Sequence, residues 1–165
     1  MTISFTLNGS QVTISPDGES RLSDIIRSKF LLTGTRQSCL SGICGCCLVF
    51  FNGDIVKSCL IPAFRLDGAE VSTIEHFSHT DNYADIIEGF SRAGVENCGF
   101  CDSGKILATE SLLKKNPVPD RGEILVHFTG IRCRCTEPDS LVAGVLNAAE
   151  IRQRRRQNIE STTHP

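Results

Sequence analysis

The sequence predicts an α+β protein in which a small mixed sheet is followed by a group of helices. In the first half, short segments alternate in polarity on either side of Asn-Gly pairs, as strands of hairpins do. After about residue 80, apolar residues instead recur at helical spacing. The nine cysteines also fall into two groups, one in each half. The 165 residues suit one ordinary domain or two small ones.

The first half is predicted to form a sheet crossed by one helix. Asn8-Gly9 and Asn52-Gly53 are typical of tight hairpin turns. Leu22, Ile25 and Ile26 are spaced to give a helix one buried face. The predicted elements are strands at 2–7 and 11–15, a helix at 21–30, and strands at 48–51, 54–57 and 70–74.

The second half is predicted to be helical. The predicted helices cover residues 83–93, 103–116, 123–129 and 139–151. The expected organisation is a first domain at 1–76, a polar linker at 77–82, a helical domain at 83–151, and a polar tail at 152–165. Halves of about 75 residues have thin cores, so each would gain stability from a bound metal.

Charge and hydropathy exclude several classes of function. The chain has 17 Lys+Arg against 19 Asp+Glu, so it has no net positive charge that would attract it to nucleic acid or anionic lipid. No apolar run approaches the roughly 20 residues of a membrane span, and the first thirty residues lack signal-peptide features. We therefore expect a cytoplasmic protein, in which clustered thiols serve metal or redox chemistry rather than disulfides.

The first cysteine set has the spacing of a plant-type [2Fe–2S] cluster. Cys39, Cys44 and Cys47 follow the pattern C-x4-C-x2-C, and Cys59 comes after the second predicted hairpin. Zinc is the alternative, although its usual sites pair two short C-x2–4-C knuckles. Cys46 is a spare thiol, which we interpret as a small buried residue beside the site rather than a ligand or a redox-sensitive group.

The second set is C-x2-C followed by C-x-C. Cys98 and Cys101 precede one predicted helix, and Cys133 and Cys135 precede another. Helix N-termini favour negative charge and would stabilise a reduced, anionic cluster. This spacing alone also suits zinc, but beside a plant-type set it favours a second [2Fe–2S] cluster.

Together these residues resemble the iron–sulfur subunit of the molybdenum hydroxylases, which include xanthine dehydrogenase, aldehyde oxidases and carbon monoxide dehydrogenase. The resemblance covers about residues 1–150, in the family's order. The segments that carry it are Thr33–Cys39, the C-x4-C-x2-C loop, Ser58-Cys59, Cys98-Gly99-Phe100-Cys101 and Cys133-Arg134-Cys135-Thr136.

The resemblance implies a β-grasp, ferredoxin-like domain followed by a four-helix domain, each with one [2Fe–2S] cluster. The implied ligands are Cys39, Cys44, Cys47 and Cys59 for the first cluster, and Cys98, Cys101, Cys133 and Cys135 for the second. It also implies a large partner subunit with molybdopterin and a medium partner subunit with FAD. This chain would relay electrons between them and contain no substrate site.

Several residues depart from the family's usual pattern without removing a cysteine. Cys46 stands where the family usually has Ala, and Asn97 stands where it has Gln. Asp102-Ser103-Gly104-Lys105 replaces the usual Thr-Pro-Gly-Met, and Glu137-Pro138 replaces Gly-Tyr. The carboxylates of Asp102 and Glu137 are expected to lower the potential of the second cluster. By the resemblance, Asn97 and Cys135 are candidate contacts to the molybdopterin.

Two alternatives to a molybdenum-hydroxylase subunit stay open at this point. One is a stand-alone two-cluster carrier or redox sensor, and the other is a zinc-stabilised interaction module. The sequence contains no P-loop, dinucleotide-binding glycine motif or nucleophilic triad, so we expect no flavin or nicotinamide site in this chain.

Overall fold

The computed structural model describes residues 2–163, in which a five-stranded mixed sheet precedes most of the helices. The strands are β1 Ile3–Leu7, β2 Ser10–Ile14, β3 Leu48–Phe51, β4 Asp54–Lys57 and β5 Glu70–Ser72. The helices are α1 Leu22–Ser28, α2 Ile74–Phe77, α3 Asp81–Arg92, α4 Asp102–Lys115, α5 Arg121–His127 and α6 Pro138–Thr163. Within this part of the chain, none of the helices is both long and apolar enough to cross a bilayer.

The sheet has the strand order β2-β1-β5-β3-β4. β1 and β5 are parallel, and the other neighbouring pairs are antiparallel. Asn8 and Gly9 have φ angles of 53° and 81°, and Asn52 and Gly53 have 51° and 88°. Two successive positive φ angles match the twist of hairpin strands, which is why Asn-Gly is favoured there.

β3 contributes to the hydrophobic cores on both sides of the sheet. Val49 packs with α1 and the inner residues of β1, whereas Leu48 and Phe50 pack with the helices of the second half. Side chains alternate between the two faces of a strand, so a continuous apolar run fits a strand that is covered on both faces. The two halves of the chain therefore share this strand.

α4 is the most enclosed helix of the described residues. Eleven of its fourteen residues are buried, and it packs against β3, β4, α3 and α5. In this environment the polar side chains of α4 need hydrogen-bonding or charged partners, because burying an unpaired polar group costs free energy. Lys105 and Glu110 are both fully buried in it.

α6 continues well past the predicted end at residue 151. It reaches Thr163, so most of the expected polar tail is helical, and residues 164 and 165 lie outside the described part. α2 and the start of α3 likewise occupy parts of the segment expected as a linker. The division into two domains at the expected boundaries stays a prediction.

A buried charge network accounts for the longer α6. Arg152 donates from Nη2 to Glu110 Oε2 at 2.7 Å, and its Nε lies 3.6 Å from Asp85 Oδ2. Arg155 donates to the same Asp85 carboxylate at 2.7 Å, and this contact raises the pKa of the guanidinium. Arg152, Asp85 and Glu110 are each at most 4% exposed. These ion pairs hold the C-terminal half of α6 against α3 and α4.

Replacing Arg152 with alanine should destabilise the protein strongly. Removal of the guanidinium leaves the buried carboxylate of Glu110 without its main charged partner, while Asp85 keeps Arg155; breaking a buried ion pair typically costs about 3–5 kcal/mol. The free energy of unfolding, measured by urea titration with far-UV circular dichroism, checks this value.

Arg154→Ala is the matched control, because Arg154 pairs with Glu150 on the exposed side of the same helix. Its expected cost is about 0.5 kcal/mol or less. Equal losses for the two variants would contradict the role given to the buried network.

Candidate metal centres

The first cysteine set lies on the loop between α1 and β3 and on the 3-10 turn after β4. Cys39, Cys44 and Cys47 belong to the loop, and Cys59 belongs to the turn. The Ser58 amide and hydroxyl both donate to the Cys47 carbonyl, at 3.1 and 2.7 Å. These bonds hold the turn against the loop, so the fourth cysteine arrives beside the other three.

Backbone amides surround the exposed end of this set. The N–H groups of Ile43 and Cys44 both donate to Cys39 Sγ at 3.3 Å. Hydrogen bonds from Ser41, Cys44 and Ile43 lower the pKa of the Cys39 thiol to about 5. Gly42, with φ +74°, permits the turn that points these amides inward. Such a loop stabilises a thiolate at Cys39.

The inner end of the set is buried. Burial raises the pKa of the Cys47 thiol to about 11, and Cys47 and Cys59 lie within hydrogen-bonding distance of each other. Lys57 Nζ donates to the Gly42 carbonyl at 2.6 Å, which joins β4 to the ligand loop. The set therefore has an inner pair, Cys47 with Cys59, and two half-buried cysteines nearer the surface, Cys39 and Cys44, which are joined by the Cys44 amide.

The second set is also arranged in pairs. The buried Cys101 contacts the half-buried Cys133, and burial raises the pKa of the Cys101 thiol to about 12. Cys98 and Cys135 are exposed and contact each other, which raises the pKa of the Cys135 thiol. Burial alone would raise the pKa of the Cys133 thiol. Hydrogen bonds, including those from the amides of Cys135 and Thr136, outweigh burial and lower this pKa to about 7.

The paired arrangement fits a [2Fe–2S] cluster better than zinc. A [2Fe–2S] cluster has two irons, each with two protein ligands, so its cysteines come as two pairs. A zinc site built from four cysteines instead needs all four sulfurs around one ion. Among the described residues, no group of three or more Cys, His, Asp or Glu side chains is placed to hold a single metal ion.

The two sets meet at a close backbone contact. The Cys44 carbonyl accepts the N–H of Arg132 at 3.0 Å, one residue before Cys133. Gly104, in the first turn of α4, approaches the Gly45 carbonyl so closely that a Cβ would overlap it. A cavity of about 310 Å³ is lined by Cys44 together with the four cysteines of the second set.

Cys46 lies inside this junction and is fully buried. Burial raises the pKa of its thiol to about 12, with smaller contributions from the neighbouring Cys44, Cys101 and Cys47. Its Sγ lies 3.8 Å from the Cys44 carbonyl, to which it donates. These surroundings agree with the interpretation of Cys46 as a small buried residue between the two sets.

Asn97, the candidate molybdopterin contact, is exposed next to Cys98. Its neighbour Cys98 contacts Cys135, the other candidate contact, which is also exposed. Neither Arg132 nor Lys105 was predicted from the sequence as part of the site. A signal for Lys105 was present, because Asp102 lies three residues before it, which is a spacing typical of helical ion pairs.

The chain matches two protein families along nearly its whole length. Residues 5–72 match the family described as "2Fe-2S iron-sulfur cluster binding domain", and residues 73–146 match "[2Fe-2S] binding domain". The chain thus contains two [2Fe–2S]-binding domains, as the two cysteine spacings predict.

Similar proteins include the nicotinate dehydrogenase small FeS subunit of Eubacterium barkeri, with 37% identity over 91% of this chain and 96% of that subunit. The nicotine 6-hydroxylase small subunit of Paenarthrobacter nicotinovorans is 34% identical over 88% of each chain. Among solved structures, quinoline 2-oxidoreductase from Pseudomonas putida 86 matches with a TM-score of 0.85 and 31% identity, over 93% of this chain and 96% of that one. The predicted α+β fold class is confirmed.

A side chain at residue 104 should disrupt the junction between the two sets. In Gly104→Ala the new methyl group meets the Gly45 backbone, which cannot rotate away as a side chain can. We expect a loss of about 1–3 kcal/mol in the free energy of unfolding, although alanine is the better helix former.

Gly18→Ala is the control for this substitution, because a Cβ at Gly18 meets nothing within 4 Å. It should change the free energy of unfolding by less than about 1 kcal/mol. A Gly104→Ala protein as stable as the wild type in the same urea titration would show that the junction is not tightly packed.

Proposed function

Because this chain belongs to the family of iron–sulfur small subunits of molybdenum hydroxylases, we propose that it relays single electrons between the other cofactors of such a complex. Electrons enter from a molybdopterin centre in a large partner subunit and leave to the flavin of a medium subunit. The oxidation of substrate takes place at the molybdenum, outside this chain. When bound, each [2Fe–2S] cluster accepts and releases one electron at a time.

In this proposal the cysteines divide into two ligand sets. The first cluster is held by Cys39, Cys44, Cys47 and Cys59, and the second by Cys98, Cys101, Cys133 and Cys135. Three thiol contacts support the assignment, namely Cys47 with Cys59, Cys101 with Cys133, and Cys98 with Cys135. The amides around Cys39 are placed to donate to a thiolate, which stabilises a negatively charged cluster.

The observation that carries the proposal is the hydrogen bond from the Arg132 amide to the Cys44 carbonyl. It joins a ligand of the first set to the neighbour of Cys133, a ligand of the second set. Two clusters held in this way are near neighbours, as a one-electron relay requires.

We assign the direction of the relay from the ends of the two sets that lie nearer the surface. Asn97, Cys98 and Cys135 are exposed, and we assign this surface to the molybdopterin. At the first set, the loop that surrounds Cys39 exposes Leu40 and Ile43. An apolar rim of this kind suits a permanent protein contact, so we assign it to the subunit that receives the electrons.

Substituting one cysteine in each set should remove one cluster at a time. The intact chain should hold about four iron and four sulfide and give two S = 1/2 EPR signals after dithionite reduction. Cys47→Ser should abolish one signal and Cys101→Ser the other, each leaving about two iron.

Cys46→Ser serves as the control for these substitutions, since it changes a buried thiol outside both ligand sets. It should retain both EPR signals. Loss of both signals from Cys47→Ser or Cys101→Ser alone, in a protein that remains folded, would contradict two independent sites. Zinc without iron in an anaerobic preparation would exclude the redox function.

Purification from the native host separates a subunit from a stand-alone carrier. A subunit should co-purify with larger chains that contain molybdenum and flavin, and the complex should elute far above the 18.0 kDa of this chain. Elution as a single chain that contains iron would favour the stand-alone carrier instead.

A further inference from the structure

A buried lysine lies next to the second cysteine set. Lys105, in the first turn of α4, is fully buried. Its Nζ donates to the Glu96 carbonyl at 2.6 Å and to Thr136 Oγ1 at 3.1 Å. It also forms an ion pair with Asp102, 3.2 Å from Oδ1. The first two contacts are hydrogen bonds, whereas the third is an ion pair in which Asp102 Oδ1 accepts no hydrogen bond.

The three partners of Lys105 flank the two segments that carry the second set. Glu96 lies two residues before Cys98, Asp102 follows Cys101, and Thr136 follows Cys135. One side chain thus connects every segment that supplies a thiol.

Thr136 strengthens this connection. Its hydroxyl donates to the Glu96 carbonyl at 3.0 Å while it accepts from Lys105. Its amide donates to Cys133 Sγ at 3.4 Å. A displacement of the Lys105 side chain would therefore displace Thr136 and, through the Thr136 amide, the Cys133 sulfur.

The charge of Lys105 lies close to the same set. Its ammonium is fully buried, and its backbone N–H donates to the Cys101 carbonyl at 3.0 Å. Asp102 is further engaged through Oδ2, which accepts the Gly99 N–H. The positive charge of Lys105 is therefore held beside the second ligand set with little water to screen it.

This finding changes one expectation from the sequence. Asp102 was expected to lower the reduction potential of the second cluster through its negative charge. In the structure, the buried ammonium of Lys105 faces that carboxylate and compensates its charge. Glu137, the other carboxylate with the same expected effect, is exposed, so water screens it.

We propose that Lys105 is a positioning residue that holds the second ligand set together and raises the reduction potential of its cluster. The inference rests on the proposed function, in which Cys98, Cys101, Cys133 and Cys135 bind a [2Fe–2S] cluster. Reduction adds one electron to that cluster, with no bond formed or broken. The added negative charge is stabilised by a nearby buried ammonium more than the oxidised form is.

The test is a redox titration of the full-length, cluster-loaded chain with dithionite as reductant, followed by EPR. Lys105→Met removes the ammonium and keeps a long side chain. We expect the equilibrium constant for one-electron reduction of the second cluster to fall at least about tenfold, which corresponds to about 59 mV. The signal of the first cluster should shift less.

Lys115→Met is the matched control. It makes the same chemical change on the same helix, at an exposed position ten residues away. Neither EPR signal should shift in this variant. A shift of the second signal as large as that of Lys105→Met would overturn the proposal, because any lysine of α4 would then have the same effect.

Asp102→Asn keeps the lysine and removes the opposing charge, so the potential of the second cluster should rise. Asp102→Asn also tests the electrostatic role of Lys105 if Lys105→Met fails to assemble the second cluster. The double variant Asp102→Thr/Lys105→Met carries neither charge, so its potential should lie above that of Lys105→Met.

An unchanged potential in Lys105→Met, or an unchanged potential in Asp102→Asn, would overturn the electrostatic role, even with a loss of stability. Absence of a second signal from the wild-type chain would instead overturn the proposed function. The wild-type spectrum therefore separates the two failures.

Discussion

The close contact between the start of α4 and the first cysteine loop is the constraint on which the rest of the structure depends. Gly104 packs directly on the Gly45 backbone, and the Arg132 amide bonds the Cys44 carbonyl nearby. This junction fixes α4 across the sheet, where β3 supplies side chains to the cores on both of its faces. The same contact places the two cysteine sets side by side, so the fold and the proposed electron relay depend on the same packing.

The burial of α4 depends on polar partners at both ends of the helix. Near its N-terminus, Lys105 connects the segments that carry the second cysteine set. Further along the helix, Glu110 holds Arg152 of α6. An unpaired charge at either position would cost several kcal/mol, by the order of magnitude for buried ions. Each charge is therefore tied to a contact between distant parts of the chain.

The two cysteine sets differ in what surrounds them, and this difference suits a relay. Cys39 has backbone amides around it, whereas the second set has a buried ammonium and an exposed pair of thiols. Net charge, hydrogen bonds to sulfur and exposure are the factors that set the potential of a cluster. Because these factors differ between the two sites, two neighbouring clusters can have different reduction potentials.

The sequence by itself determined the features that depend on local spacing. The two cysteine patterns predict the number and type of clusters, and the Asn-Gly pairs predict both hairpins, because turn geometry involves only adjacent residues. Tertiary structure alone decided that Arg152 belongs to a buried network rather than to a polar tail, since its partner Glu110 lies far away in the chain. It also decided the effect of Asp102, since a carboxylate's influence depends on whether an ammonium is buried beside it. Burial and long-range charge pairing are properties of the packed chain, and no local pattern of residues contains them.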